Sequence, residues 1–302
     1  MTTTGKAAFT VNDKTYETWY TITGQIRESK NRPLVAVHGG PGMTHDYMLP
    51  NTKLFELAGI PVILYDQLGN GNSSHVDDAH PSFWTVDLFM DELENLVQHL
   101  GISNDYDLLG NSWGGMLAGN FAAARQPKGL KHLIIANAPA STPQFYIGLN
   151  NLLDSFSEED KAIVHRCEAE GTLNAPDYQR VVGDFRKKHL CNMDPWPQEL
   201  MASFAASDAC PAVGNAMLGP YVFTVVGNLK DWSIVEILHN IQVPTLLISS
   251  PFDTVQENAY SPWFREIPKI KWVEIIESTH LTQFEAPAHY LSAVISFLSS
   301  PL

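Results

Sequence analysis

The chain is 302 residues long, 44% of them hydrophobic, with 19 Lys and Arg against 33 Asp and Glu for a formal net charge of −14. That length suits one large core carrying a sizeable insertion. The negative surplus, with no basic cluster denser than Arg186-Lys187-Lys188, speaks against nucleic acid or an anionic membrane surface as partner.

Residues 7–24 carry Phe9, Val11, Tyr16, Trp19 and Tyr20 around Asn12-Asp13 and read as a β-hairpin. Leu34-Val35-Ala36-Val37 is a continuous apolar run of buried-strand type, ending in His38-Gly39-Gly40-Pro41-Gly42. Three glycines and a proline build no regular element. They make a loop whose free N–H groups can face an anion, as an oxyanion hole requires. His38 reads as a structural residue beneath that loop. Pro61 to Tyr65 is the next buried strand, and the turn-rich stretch from Asp66 to Ser74 follows it. From Thr85 to Leu100, Leu93, Leu96, Val97 and Leu100 recur at helical spacing, with Gly101 as the stop.

Tyr106 to Leu109 lead into Gly110-Asn111-Ser112-Trp113-Gly114-Gly115, and a run of small residues continues to Ala124. Strand, sharp turn and helix are the context of a nucleophile elbow, which presents a serine on a strained turn where neighbouring positions tolerate no Cβ. Leu133 to Ala136 forms a further buried strand. Residues 141–235 then break the alternation: charged helix formers, aromatics and no buried-strand signature mark a helical cap inserted after the sixth strand, with 1–140 and 236–302 forming the core domain. Cys167, Cys191 and Cys210 all lie in this insertion without metal-ligand spacing and read as reduced, buried thiols. Val243 to Ser249 resumes the sheet and leads to Asp253. Lys271 to Ile276 is the last strand and leads to His280, and a terminal helix runs from about 286 to 298.

Ser112, Asp253 and His280 therefore leave the carboxyl ends of three parallel strands in the chain order Ser, Asp, His. A serine hydroxyl needs a base to take its proton, and the imidazole needs a carboxylate to fix its tautomer. These motifs resemble the α/β-hydrolase superfamily, and within it the proline iminopeptidase family of serine peptidases. The resemblance rests on His38-Gly39-Gly40-Pro41-Gly42, Tyr65-Asp66-Gln67 with Gly69 and Gly71, Gly110 to Gly115, Asp253, and Ser278-Thr279-His280-Leu281. The cap segments Cys191 to Pro197 and Gly227 to Trp232 extend it.

The resemblance implies an α/β-hydrolase fold with a mostly parallel sheet, oxyanion donors at the Gly40 and Trp113 backbone, and a substrate space touched by Gly39, Tyr221, Val222 and Thr254. Aminopeptidases of that family are expected to hold a free α-amine with acids at two of these places, where this chain has Val222 and Thr254; Asp194 and Asp208 are the candidate replacements. Asn70 stands where the family has a cysteine.

The leading expectation is a serine hydrolase acting on a small, largely apolar ester, lactone or amide. An aminopeptidase or amino-acid amidase is the alternative, and a non-catalytic hydrolase-fold receptor the reading from another class. No cofactor, metal, nucleic acid or membrane enters the expectation. The partner is a small-molecule substrate, a homo-oligomer is left open, and the start Met1 to Lys6, lacking an apolar signal core, points to the cytoplasm.

Overall fold

The computed structural model describes residues 2–27, 29–76 and 78–300. Eight strands form one sheet: β1 (Thr2–Val11), β2 (Lys14–Thr23), β3 (Leu34–Val37), β4 (Val62–Tyr65), β5 (Tyr106–Asn111), β6 (Leu130–Ala136), β7 (Thr245–Ser249) and β8 (Ile270–Glu274), in the order β1-β2-β4-β3-β5-β6-β7-β8. The hairpin β1-β2 joins β4 antiparallel, and every pairing from β4 to β8 is parallel. This is the α/β-hydrolase architecture expected.

The apolar runs explain the sheet's position. In β3, Val35 and Val37 face one apolar cluster while Leu34 and Ala36 face another, and β4, β5, β6 and β7 divide in the same way. Both faces are covered, so these strands read as unbroken hydrophobic runs. The helices that cover them are α1 (Lys53–Ala58), α2 (Val86–His99), α3 (Trp113–Arg125), α9 (Glu257–Glu266), α10 (Thr282–Glu285) and α11 (Pro287–Leu298). The Thr85 side chain caps α2 by accepting from the Leu88 N–H at 3.1 Å.

Two elements differ from expectation. β1 begins at Thr2 rather than near residue 7, because Thr2 to Lys6 pair with Trp19 to Thr23 through the backbone while most of their side chains stay exposed. Such a segment leaves no apolar signature. β8 ends at Glu274 rather than Ile276 and is an edge strand, with Trp272 39% exposed.

Between β6 and β7 the chain leaves the sheet and forms α4 (Thr142–Leu153), α5 (Glu158–Glu170), α6 (Pro176–His189), α7 (Gln198–Ala209) and α8 (Ala212–Met217). Its two ends are fastened together: Ser141 bridges Ser233, the Thr142 N–H donates to Trp232 at 2.9 Å, and the Ile234 N–H donates to Ala140 at 3.1 Å. α4, α5 and α6 bury a separate cluster that includes Leu153, Val164, Val181 and Phe185. Cys167 and Cys191 are buried free thiols as expected, whereas Cys210 is half-buried. No helix among the described residues is long and apolar enough to cross a membrane.

Candidate active site

Ser112 sits between β5 and α3 with φ 57° and ψ −126°, a conformation costly for any residue with a side chain. Its neighbours explain how the turn is accommodated. A Cβ on Gly110 would run into the Gly114 carbonyl, and one on Gly114 into the Val37 carbonyl. The tight crossing of β5, α3 and β3 thus has no space for larger residues, and the serine is held at its apex.

The loop after β3 is pinned from below. His38 is fully buried; its Nε2 accepts from the Gln67 N–H at 3.0 Å, so Nδ1 carries the proton and donates to the Gly39 carbonyl at 2.9 Å. Burial pushes its pKa down to about 4 against the raising influence of Asp66 and that carbonyl, so the ring is neutral and structural. The Gln67 side chain donates to the His38 carbonyl and accepts from the Trp113 indole, both at 2.8 Å, tying this loop to the elbow. Asp66 is likewise a loop-fixing residue, accepting from the His45 and Asn72 backbone N–H groups and from both side chains. Burial alone would raise its pKa, but the hydrogen bond and charge of His45 hold it below the usual value.

Gly40 has φ 113°, open to glycine and strained for other residues. Neither its N–H nor that of Trp113, the first residue of α3, has a hydrogen-bond partner among the described residues. Both residues line the cavity that Ser112 opens into. Gly39 is placed differently: its N–H is taken by the Tyr47 hydroxyl, which donates on to Asn111 Oδ1 at 3.0 Å, and the residue lies beneath the cavity wall rather than in it.

Asp253 and His280 meet although they leave different strands. His280 Nδ1 donates to Asp253 Oδ1 at 2.6 Å, which leaves Nε2 as the acceptor nitrogen, and His280 lines the same cavity as Ser112. No hydrogen bond joins Ser112 Oγ to His280 in this structure. Asp253 is buried, and both its oxygens are engaged: Oδ1 also accepts from the Val255 N–H and the Thr254 hydroxyl, each at 3.0 Å, and Oδ2 accepts from Asn137 Nδ2 at 2.8 Å. Asn137, just after β6, carries no signal in the sequence, where Ala136-Asn137-Ala138 reads as an ordinary strand end. Glu285 carries no sequence signal either. It accepts from the Thr279 N–H and the Asn192 N–H, each at 2.7 Å, and so fastens the histidine loop to the segment after α6.

The cavity has a volume of about 270 Å³ and lies between the strand ends and α4, α6, α7 and the segment following α8. Tyr221, Val222 and Thr254 line it. Its wall contains no Asp or Glu among the described residues. Asp194 is an exposed surface partner of Lys187 at 2.8 Å, and Asp208 is exposed; neither reaches the lining. One buried carboxylate does stand close behind the wall: Glu168 Oε1 accepts from the Val222 and Phe223 N–H groups at 3.0 and 2.9 Å and from the Tyr178 hydroxyl at 3.0 Å. It braces the backbone of Val222.

The sequence matches the model of the alpha/beta hydrolase fold family over residues 32–164. Similarity also extends over 94% of this chain and 95% of the proline iminopeptidase of Lactobacillus acidophilus, at 32% identity. Among solved structures, VinJ superposes with a TM-score of 0.93 at 38% identity, covering 99% of each chain. The proline iminopeptidase of Mycobacterium smegmatis does so at 0.88 and 36% identity, covering 97% of each.

Proposed function

The chain belongs to the proline iminopeptidase family of α/β hydrolases, and on that premise we propose that it is a serine hydrolase for a small, largely apolar ester, lactone or amide with no requirement for a free amine. Ser112 is the nucleophile. His280 Nε2 takes its proton as the hydroxyl attacks the substrate carbonyl, and Asp253 holds the imidazole in the Nδ1–H tautomer and stabilises its cation. The Gly40 and Trp113 N–H groups receive the developing oxyanion. His280 then protonates the leaving group, and a water that it deprotonates releases the acyl group from Ser112.

Closing the distance between Ser112 Oγ and His280 is the task of bound substrate, since catalytic hydrogen bonds often tighten only in the complex. The free thiols Cys167, Cys191 and Cys210 fit a reducing compartment, the cytoplasm.

One observation carries the substrate reading: the acid-free cavity wall. A buried ammonium without a carboxylate partner costs several kcal/mol, roughly a thousandfold in affinity at ~4 kcal/mol. The identity to proline iminopeptidases favours the second reading, an aminopeptidase, for which Glu168 is a buried cap carboxylate behind the wall. Its Oε1 is already engaged by three donors. The two readings separate in a comparison of kcat/KM for a prolyl arylamide, its N-acetyl analogue and a simple aryl ester. The expected result is turnover of the ester with no preference for the free amine over the acetylated amide; a strong preference for the free amine overturns it.

A further inference from the structure

α6 contributes two neighbours to the cavity wall, Phe185 and Arg186. Arg186 is the only Asp, Glu, Lys or Arg side chain in that wall among the described residues. Of the other cations on α6, Arg180 pairs at the surface with Asp160 at 2.5 Å and Asp184 at 3.4 Å and Lys187 with Asp194 at 2.8 Å, while the exposed Lys188 donates to the Ser155 hydroxyl at 3.2 Å. Arg186 has no such partner. Its guanidinium lies over the Phe204 ring, with Cζ 5.4 Å from the centroid, and its side chain donates no hydrogen bond to any described residue. Burial lowers its pKa from the ordinary value, and neither the Tyr178 phenol nor the exposed Asp208 offsets that.

The ring face compensates a half-buried cation only in part, and none of the guanidinium's five N–H donors has a protein acceptor among the described residues. A ligand that fills the cavity displaces the water around the guanidinium and must supply an acceptor in its place. A planar carboxylate matches the guanidinium fork in a bidentate manner. A phosphate dianion would call for more donors than this single cation in a wall of leucine, phenylalanine, methionine and valine.

We propose that Arg186 anchors a carboxylate of the substrate, so that the molecule hydrolysed at Ser112 is an anionic ester, lactone or amide. This rests on the hydrolase reading and narrows its substrate class: the anchor in the wall is cationic, the reverse of what an amine-recognising site presents.

Two pairs of esters test it, one for each side of the scissile bond: mono-4-nitrophenyl adipate against 4-nitrophenyl hexanoate, and 4-butyryloxybenzoate against its benzamide analogue. In at least one pair the anionic member is the better substrate by about tenfold or more in kcat/KM. That ratio falls by a similar factor in Arg186→Met and by less in Arg186→Lys. Arg180→Met, which removes an exposed arginine from the same helix, leaves it unchanged. If Arg186→Met leaves the ratio of both pairs at the wild-type value, or lowers all four substrates alike, Arg186 is structural and the proposal is wrong while the hydrolase reading stands. If a fluorophosphonate fails to label Ser112, the hydrolase reading falls and the proposal with it.

Discussion

Asn137 shows how a single side chain can decide whether two distant loops work together. Its amide donates to Asp253 Oδ2 and, at 3.3 Å, to the Thr279 carbonyl beside His280, while its own Oδ1 accepts from Thr282 at 3.2 Å. Asn137→Ala leaves a buried carboxylate oxygen without its donor. The expected outcome is a fall in kcat on the order of tenfold, with KM for a neutral aryl ester nearly constant, since only the orientation of the imidazole is disturbed. Steady-state kinetics check it, and an unchanged kcat would show that Thr254 and Val255 suffice to hold Asp253. Thr254 has a related role: it donates to Asp253 Oδ1 and lines the cavity.

Among the elements, the elbow is the most constrained. Gly114→Ala drives a methyl into the Val37 carbonyl, and overpacking of that kind costs about 1–3 kcal/mol or more. Urea denaturation should show a lower midpoint, and a wild-type midpoint would mean that α3 can slide off β3. Helix α2 supplies a pH-dependent term through Glu92. It is fully buried, and its carboxyl accepts from the Thr18 hydroxyl at 2.6 Å and from the Leu68 N–H at 2.9 Å. Burial nevertheless raises its pKa from 4.5 to about 7.

Between those values the folded chain keeps a proton that the unfolded chain releases, so stability falls as pH rises through that window, by up to ~3 kcal/mol. Glu92→Gln should flatten that stretch of the stability–pH curve measured by denaturation; an identical slope in the variant would assign the dependence to other groups. Elements such as the elbow, the buried strands and α2 were legible in the sequence because their causes are local: unbroken apolar runs, apolar residues at helical spacing and glycine punctuation. Asn137, Glu168, Glu285 and Arg186 were not. An asparagine after a strand or an arginine in a helix acquires its role only from what the fold sets against it, and Thr2 to Lys6 pair through backbone groups that every residue shares.

Taken as a whole, the molecule joins a two-faced sheet to a helical insertion with a partly independent core. Val213, Met217 and Leu229 pack into the same cluster as β3 and β5, whereas Leu153, Val164 and Val181 form their own. Leu153→Ala, at a buried site in that second cluster, is expected to cost about 2–5 kcal/mol. Hydrogen exchange should then quicken in α5 and α6 while β3 to β6 keep their protection; uniform acceleration would mean that the insertion and the sheet open as one unit.

The insertion positions the cavity wall, and the sheet positions the chemistry, so the central claim is that an acyl group passes through Ser112 beneath that wall. Intact-protein mass spectrometry after rapid acid quench of a reaction with a neutral aryl ester tests this most directly. The account predicts a mass increase equal to the acyl group, mapped to Ser112 and absent from Ser112→Ala. Turnover with no adduct on the wild-type chain under pre-steady-state conditions, or an adduct that persists in Ser112→Ala, would contradict it.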